Sequence, residues 1–278
     1  MIDLHSHSTF SDGSESPEHV VELAAEAGCS TVALTDHDTT EGLGRAARRA
    51  AELGIGLIRG CEVSCAFSPG TLHMLCYFIG DGPNPLENEL ERLRTDRSRR
   101  NALMAERLEA IGLPITYDEV MEEAGGTGVG RPHFAAVLMR KGVVSSVQEA
   151  FDRYLAKGTP GYVSKARIGA ERVIELVRRS GGVSVVAHPL LLALEPDPMR
   201  VELRRLVELG LGGMECYYAR YEPEVRAQLA ETARALGLVP TGGTDFHGSY
   251  KPDLSMGTGR GDLEVPDDVV AELGARRP

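Results

Sequence analysis

Short β-rich apolar runs alternate along the chain with longer stretches whose apolar residues fall three and four apart, the periods of strands and amphipathic helices. Ile2 to His7 reads as a first strand. Ser16-Pro17-Glu18 opens a helix through Ala27, with Ser16 as cap, Pro17 at the first helical position and Gly28 beyond the end. A strand over Thr31 to Thr35 leads to a helix from Glu41 to Leu53, closed by Gly54; a third strand runs to Glu62 and a fourth carries His73. After Gly182 the pattern predicts strand 183–187, helix 197–209, strand 213–218, helix 222–236 and strand 239–244. Such alternation marks a parallel sheet with outer helices, and closure into a barrel brings its first and last strands together. The acidic stretch from Asp262 to Glu272 predicts a final strand and a short helix against that barrel.

Between the fourth and fifth strands the rhythm fails for about 100 residues. Pro85 to Ile111 reads as one long helix, and Tyr117 to Glu123, Pro132 to Arg140 and Val147 to Leu155 as shorter ones. The expected division is a barrel of residues 1–95 and 166–278 and a helical insertion of residues 96–165. A helical insertion at a barrel's mouth is a natural lid or substrate clamp, and plain buttressing is the alternative.

A length of 278 residues suits one barrel with an insertion, and 42% hydrophobic with 26% charged residues is ordinary for a soluble protein. The net charge of −11 argues against a broad grip on long nucleic acid, whose affinity comes from neutralised phosphates, and leaves room for a local basic pocket. Five cysteines without a CxxC pair read as reduced, buried thiols and so as a cytoplasmic setting. The first residues show no leader pattern, and no apolar run of about 18 residues predicts a membrane span.

Polar donors gather at the ends of the apolar runs, where barrels place their chemistry. His5 and His7 lie two apart, so that in a strand they share a face, and Asp245 and His247 repeat the spacing in the last strand. A lone His-x-His is weak evidence for a metal. The other strand ends add His37, Glu62, His73 and His188, and the loop after the first strand adds Asp12. Nine nitrogen and oxygen donors exceed the needs of one ion, and imply two or three divalent ions sharing a bridging carboxylate. Imidazoles and carboxylates without thiolates suit Mn²⁺, Fe²⁺ or Zn²⁺, with Mn²⁺ preferred, better than a purely Mg²⁺ site.

Two features of the insertion suggest anion binding. Arg92, Arg94, Arg97, Arg99 and Arg100 fall within nine positions of an otherwise acidic chain, though at helical spacing some must face solvent. Gly125-Gly126-Thr127-Gly128-Val129-Gly130-Arg131-Pro132-His133 is a glycine loop entering a helix, whose free N–H groups together with Arg131 and His133 would attract an anion. It lacks the Gly-Lys-Ser/Thr ending of a nucleotide P-loop. His19, Cys61, Cys65, Tyr217 and Tyr218 read as structural, and Asp36 and Asp38 either orient ligands or are exposed loop acids.

The motifs Asp3-Leu4-His5-Ser6-His7-Ser8-Thr9-Phe10-Ser11-Asp12-Gly13, Thr35-Asp36-His37-Asp38, Gly60-Cys61-Glu62, His188-Pro189 and Thr244-Asp245-Phe246-His247 span the chain in order. Together they resemble the PHP family, named for its polymerase and histidinol phosphatase members. The resemblance implies a distorted seven-stranded (β/α) barrel with a trinuclear metal centre. One ion would take His5, His7, Glu62 and Asp245; a second would share Glu62 and add His73 and His188; the third would sit on Asp12, His37 and His247. Some members have His where Asp12 stands, which implies a weaker third site or a harder ion. The branch most resembled comprises nucleoside 3′,5′-bisphosphate phosphatases and the 5′→3′ exoribonuclease RNase AM, whose insertion holds the phosphate that is not cleaved. Its positions match Arg99, Arg100, Asn101, Arg131 and His133. The implied activity is metal-dependent hydrolysis of the 3′-phosphate of a bisphosphate such as pAp, with hydroxide generated at the metals attacking phosphorus and no separate protein nucleophile. The rivals are exonucleolytic trimming of short 5′-phosphorylated RNA, histidinol phosphate hydrolysis, and a non-catalytic metal-bound regulatory module. The expected partner is a small phosphorylated nucleotide or a short oligoribonucleotide.

Overall fold

A computed structural model describes residues 1–80, 82–125, 129–164 and 167–278. The chain divides into two units, one of Met1–Leu90 with Arg167–Pro278 and one of Glu91–Ala166. In chain order the elements are β1 (Ile2–Asp3), α1 (Pro17–Glu26), β2 (Thr31–Leu34), α2 (Leu43–Leu53), β3 (Gly56–Ala66) and β4 (Leu72–Tyr77). There follow α3 (Pro85–Ala110), α4 (Tyr117–Glu123), α5 (Arg131–Arg140) and α6 (Val147–Ala150), then β5 (Ile168–Gly169), α7 (Ala170–Arg179) and β6 (Val183–Val186). The chain ends with α8 (Pro196–Glu208), β7 (Gly213–Tyr218), α9 (Pro223–Ala235), β8 (Val239–Gly243) and α10 (Val269–Gly274). No helix among the described residues is long and apolar enough to cross a membrane.

Local chemistry sets the helix limits. The Ser16 hydroxyl accepts from His19 N at the start of α1, with Pro17 next, and Gly54 ends α2 in the left-handed region at φ 70°. The strands run in the order β1-β2-β3-β4-β6-β7-β8, and β5 pairs with the end of β3. Leu4 N donates to Gly242 O at 3.2 Å and Ser6 bridges Phe246, which nearly closes the path into a seven-stranded barrel. Apolar side chains from β1 and the residue after it, β4, β6 and β8, among them Ile2, Leu4, Leu75, Val183, Val185 and Val239, pack with Tyr77, whose hydroxyl donates to Leu4 O at 2.7 Å. A second layer, with Val20, Val21, Val32, Leu34 and Ala46, seals α1 and α2 onto the sheet. The helical unit has its own core, built on Met104, Leu108, Val120, Phe134, Leu138 and Leu155.

The structure corrects several expectations. The sheet is not wholly parallel: β4 runs antiparallel to both β3 and β6. Only residues 67–71 separate β3 from β4, and a parallel return needs a crossover of about a dozen residues or more. β1 stops at Asp3: beyond it the chain keeps only isolated backbone links to its neighbours, such as Leu4 N to Gly242 O and His7 N to Phe246 O, while the buried Asp3 carboxylate accepts from the backbone N–H groups of His5, Thr244 and Gly257. The helix expected over Val147 to Leu155 is α6 followed by a single π turn, Phe151–Leu155. In the acidic tail α10 forms, and no strand follows Asp262 among the described residues.

Candidate metal centre

Every strand-end donor named from the sequence arrives at one rim of the barrel unit. His5 and His7 follow β1, His37 follows β2, His188 follows β6, and Asp245 and His247 follow β8, while Glu62 lies within β3. The reversed direction of β4 lets His73, near its start and paired with Ser64, join the same rim. The Ser6–Phe246 bridge sets the two i, i+2 pairs side by side. His188 and Asp245 hold positive φ angles of 27° and 54°, which side-chain-bearing residues adopt rarely and chiefly where function demands it.

Glu62 stands at the centre, 1% exposed. Its Oε2 lies 3.2 Å from His5 Nε2, His7 Nε2 and His37 Nδ1, and its Oε1 lies 2.8 Å from His73 Nδ1 and 3.0 Å from His188 Nε2. Asp245 Oδ1 lies 3.5 Å from His5 Nε2 and 3.3 Å from His7 Nε2. Asp12 Oδ1 lies 3.3 Å from His247 Nε2, and Asp12 Oδ2 lies 3.8 Å from His37 Nε2. Donor atoms within 4.8 Å of one another fall into three groups: His5, His7, Glu62 and Asp245; His7, Asp12, His37 and His247; and His37, Glu62 and His73. His188 joins through Glu62 Oε1. The groups overlap at His7, His37 and Glu62, and of these the Glu62 carboxylate, with its two oxygens, is the one able to bridge two ions.

The donors fit divalent ions. His188 Nδ1 is buried with no hydrogen-bond partner, and Asp12 Oδ1 and His37 Nδ1 meet His247 and Glu62 only in close contacts without hydrogen-bond geometry, an arrangement costly in a protein unless something else satisfies them. Six of the eight histidines converge with three carboxylates and no thiolate. Burial would raise the pKa of Glu62, but the imidazoles of His37, His5 and His73 outweigh it and hold the carboxyl well below its usual range. Burial opposes ionisation of Asp245 too, and His5, His247 and His7 overcome it. For His7, burial lowers the pKa while Asp245, Glu62 and Asp12 raise it, to about 9. His37 is dominated by burial, which His7 and His73 reinforce, and falls to about 3.

The surrounding residues fix proton positions. Ser11 Oγ donates to Asp36 Oδ1 at 2.6 Å, so its oxygen receives the His7 Nδ1 proton at 3.3 Å. Asp36 is therefore a buried orienting group and not a loop acid. Asp38 is buried as well and accepts from Ser64 N at 3.1 Å. His247 Nδ1 donates to Asp245 O at 2.8 Å, which leaves Nε2 facing Asp12. The sequence reading passed over Glu215 and Lys251 and took Tyr218 as structural. Glu215 Oε1 lies 2.8 Å from His5 Nδ1, Tyr218 Oη donates to Asp245 Oδ2 at 2.9 Å, and Lys251 Nζ lies 2.5 Å from the same oxygen. Tyr218 is thus not merely structural. The only sequence signals were a glutamate inside an apolar strand and a lysine four residues after His247.

In the helical unit, Arg100 and Asn101 lie on α3 and Arg131 and His133 on α5. Arg100 is buried; its Nη1 lies 3.1 Å from Met104 Sδ and its Nε has no partner. Asn101 Nδ2 donates to Val129 O at 2.9 Å, and its buried Oδ1 has no partner. His133 Nδ1 accepts from Gly130 N at 3.0 Å, closing the start of α5, and the Arg131 guanidinium lies 5.4 Å from the Phe151 ring. Arg99 is exposed, outside this buried set. Gly126, Thr127 and Gly128 of the glycine loop lie outside the described residues.

A model of the PHP domain matches residues 3–97. The chain is similar to the 5′-3′ exoribonuclease Rnm of Escherichia coli, 36% identical over 250 residues covering 89% of this chain and 85% of that one. It is similar to a 3′,5′-nucleoside bisphosphate phosphatase of Chromobacterium violaceum, 34% identical over 280 residues covering 99% of this chain and 97% of that one. Among solved structures it is similar to a Bifidobacterium adolescentis protein assigned as a metal-dependent phosphoesterase, with a TM-score of 0.86, 32% identity, and coverage of 100% of this chain and 96% of that one.

Proposed function

Because the chain belongs to the PHP family and is a phosphoester hydrolase, we propose that it removes the 3′-phosphate of nucleoside 3′,5′-bisphosphates such as pAp, releasing AMP and phosphate. The observation that carries the choice of a doubly phosphorylated substrate is Arg100. It is buried with no carboxylate partner among the described residues, and the guanidiniums of Arg97 and Arg131 act against its charge. A buried cation is normally paired, so an unpaired one beside its own kind suits an incoming anion. Asn101, Arg131 and His133, with Arg99 on the same helix as Arg100, would complete the hold on the retained phosphate. The near-full-length similarity to the Chromobacterium bisphosphate phosphatase supports the same reading.

His5, His7, Glu62 and Asp245, then Glu62, His73 and His188, then Asp12, His37 and His247 would hold the divalent ions, Mn²⁺ in our reading and otherwise Fe²⁺ or Zn²⁺. Such ions, once bound, acidify a water to serve as nucleophile and neutralise phosphoryl oxygens. The chain's own part is to fix the donors. Glu62 offers both oxygens to different imidazoles and so ties the groups together. The hydroxyl of Ser11 and the carbonyl of Asp245 keep the Nδ1 protons of His7 and His247 turned away from the shared face. Asp12, His73 and His37, at 29%, 21% and 18% exposure, form the open side through which a phosphoryl group would enter. The five cysteines are all free and buried, which supports the cytoplasmic location we assign.

The test is phosphate release by Mn²⁺-loaded protein from pAp, AMP, histidinol phosphate and a short 5′-phosphorylated RNA, with Arg131→Ala alongside. Preference for pAp that vanishes in the variant is the expected result. Shortened RNA with intact pAp would replace this reading by an exoribonuclease, the activity named for the Escherichia coli relative.

A further inference from the structure

β7 supplies none of the nine donors, yet two of its side chains reach three of the residues that do. In a regular strand residues three apart point to opposite faces, which would send Glu215 and Tyr218 to different sides of the sheet. The register against β8 shifts between Glu215 and Tyr217. The extra residue turns both side chains to the centre, the re-aiming that β-bulges provide beside functional sites. Glu215 is fully buried and divides its oxygens: Oε1 lies 2.8 Å from His5 Nδ1, and Oε2 accepts from His188 N at 2.7 Å. Tyr218 donates to Asp245 Oδ2 and sets its ring edge-on to that of His188, with centroids 5.6 Å apart.

We propose that β7 is the positioning strand of the metal centre. Glu215 fixes His5 with its proton on Nδ1 and Nε2 turned toward Glu62 and His7, and it holds the strained backbone of His188, at φ 27°, through its N–H. Tyr218, together with Lys251, engages Asp245 Oδ2, so that Oδ1 is the oxygen facing His5 and His7. The inference rests on the rim holding divalent ions, and not on which phosphoester is cleaved.

The two acceptors explain why a carboxylate is needed at residue 215. Glutamine is isosteric but sets an NH₂ group against one of two donors. If that group faces His5, the ring must accept at Nδ1 and carry its proton on Nε2, where a ligand lone pair is required. If it faces His188, the backbone N–H loses its acceptor. Tyr218→Phe removes a single hydroxyl and keeps the ring.

The experiment measures Mn²⁺ affinity by chelator competition and ion content by mass spectrometry, on the full chain, for the wild type, Glu215→Gln and Tyr218→Phe. Melting of each protein without ions and ¹⁵N NMR of the His5 ring accompany it. Losses of partners to metal ligands typically weaken affinity by about 10- to 100-fold. We expect a loss in that range for Glu215→Gln and about 10-fold for Tyr218→Phe, with melting of the ion-free proteins little changed and, where the amide of Glu215→Gln faces His5, the proton of that ring displaced from Nδ1. A merely structural role would lower melting and leave Mn²⁺ affinity as in the wild type. Should Glu215→Gln fail to fold, Tyr218→Phe decides. Wild-type affinity and ion content in the folded variants overturns the proposal. A wild type that takes up no Mn²⁺ overturns the metal-centre reading and this inference with it.

Discussion

Replacing Arg100 by methionine should make the protein more stable and a worse enzyme. Arg100 is 8% exposed. Burial, with Arg97 and Arg131 adding to it, lowers the guanidinium pKa from 12.5 to about 10. A folded-state pKa below the unfolded one means that folding disfavours the charged form. At pH 7 the group is charged in both states, so the penalty is fully present, and it lifts only as pH rises through about 10 toward 12.5. At about 1.4 kcal/mol per pH unit the gap corresponds to about 3 kcal/mol at most. Methionine keeps most of the apolar stem and removes the charge, so we expect stabilisation of about 1–3 kcal/mol. A charge-assisted hydrogen bond contributes about 1.5–3 kcal/mol, so loss of its contact to the retained phosphate should raise KM for pAp about 10- to 100-fold. Urea unfolding at pH 7 and steady-state kinetics measure the two effects. A variant that is less stable than the wild type, with KM unchanged, would refute both the uncompensated charge and the anion site.

Asp245→Ala should abolish turnover, by at least about 10³-fold given the several kcal/mol that metal ions contribute, while circular dichroism shows the fold retained; residual activity within tenfold of wild type would contradict its place among the ligands. With no ion bound, His7 keeps its proton up to about pH 9, so an incoming ion must displace that proton below this value. Apparent metal affinity should therefore climb with pH through this range, and calorimetry in buffers of different ionisation enthalpy should register proton release; uptake without it would contradict the assignment. At Gly243 an added Cβ would lie 2.5 Å from His5 N and 2.6 Å from His5 Cβ. Gly243→Ala should cost about 1–3 kcal/mol and weaken metal uptake together, and a variant with normal melting and normal ion content would show that the rim yields more easily than this packing implies.

The candidate metal donors were legible because their signal is local: donors two apart in β-rich runs, and single donors at strand ends, need no knowledge of tertiary packing. Their convergence followed from barrel closure, realised by Leu4 N on Gly242 O. Where the reading failed, the causes were of two kinds, one local and passed over, the other visible only in the folded sheet. The direction of β4 depends on the short link of residues 67–71, and that of its partner β6 follows from it. Glu215 and Tyr218 share a face because of a register shift that exists only once β7 meets β8. In the arginine run, helical spacing left open which members turn inward; Arg100 is buried and Arg99 exposed because Arg100 lies four and eight residues before Met104 and Leu108, on the α3 face that joins the core of the helical unit.

The measurement closest to the central claim is chromatographic identification of the products formed from pAp by the Mn²⁺-loaded protein. The account predicts AMP and inorganic phosphate in equal amounts, with the 5′-phosphate retained and the reaction abolished by a chelator. Formation of adenosine 3′-phosphate, or intact pAp in the presence of confirmed bound metal, would contradict it.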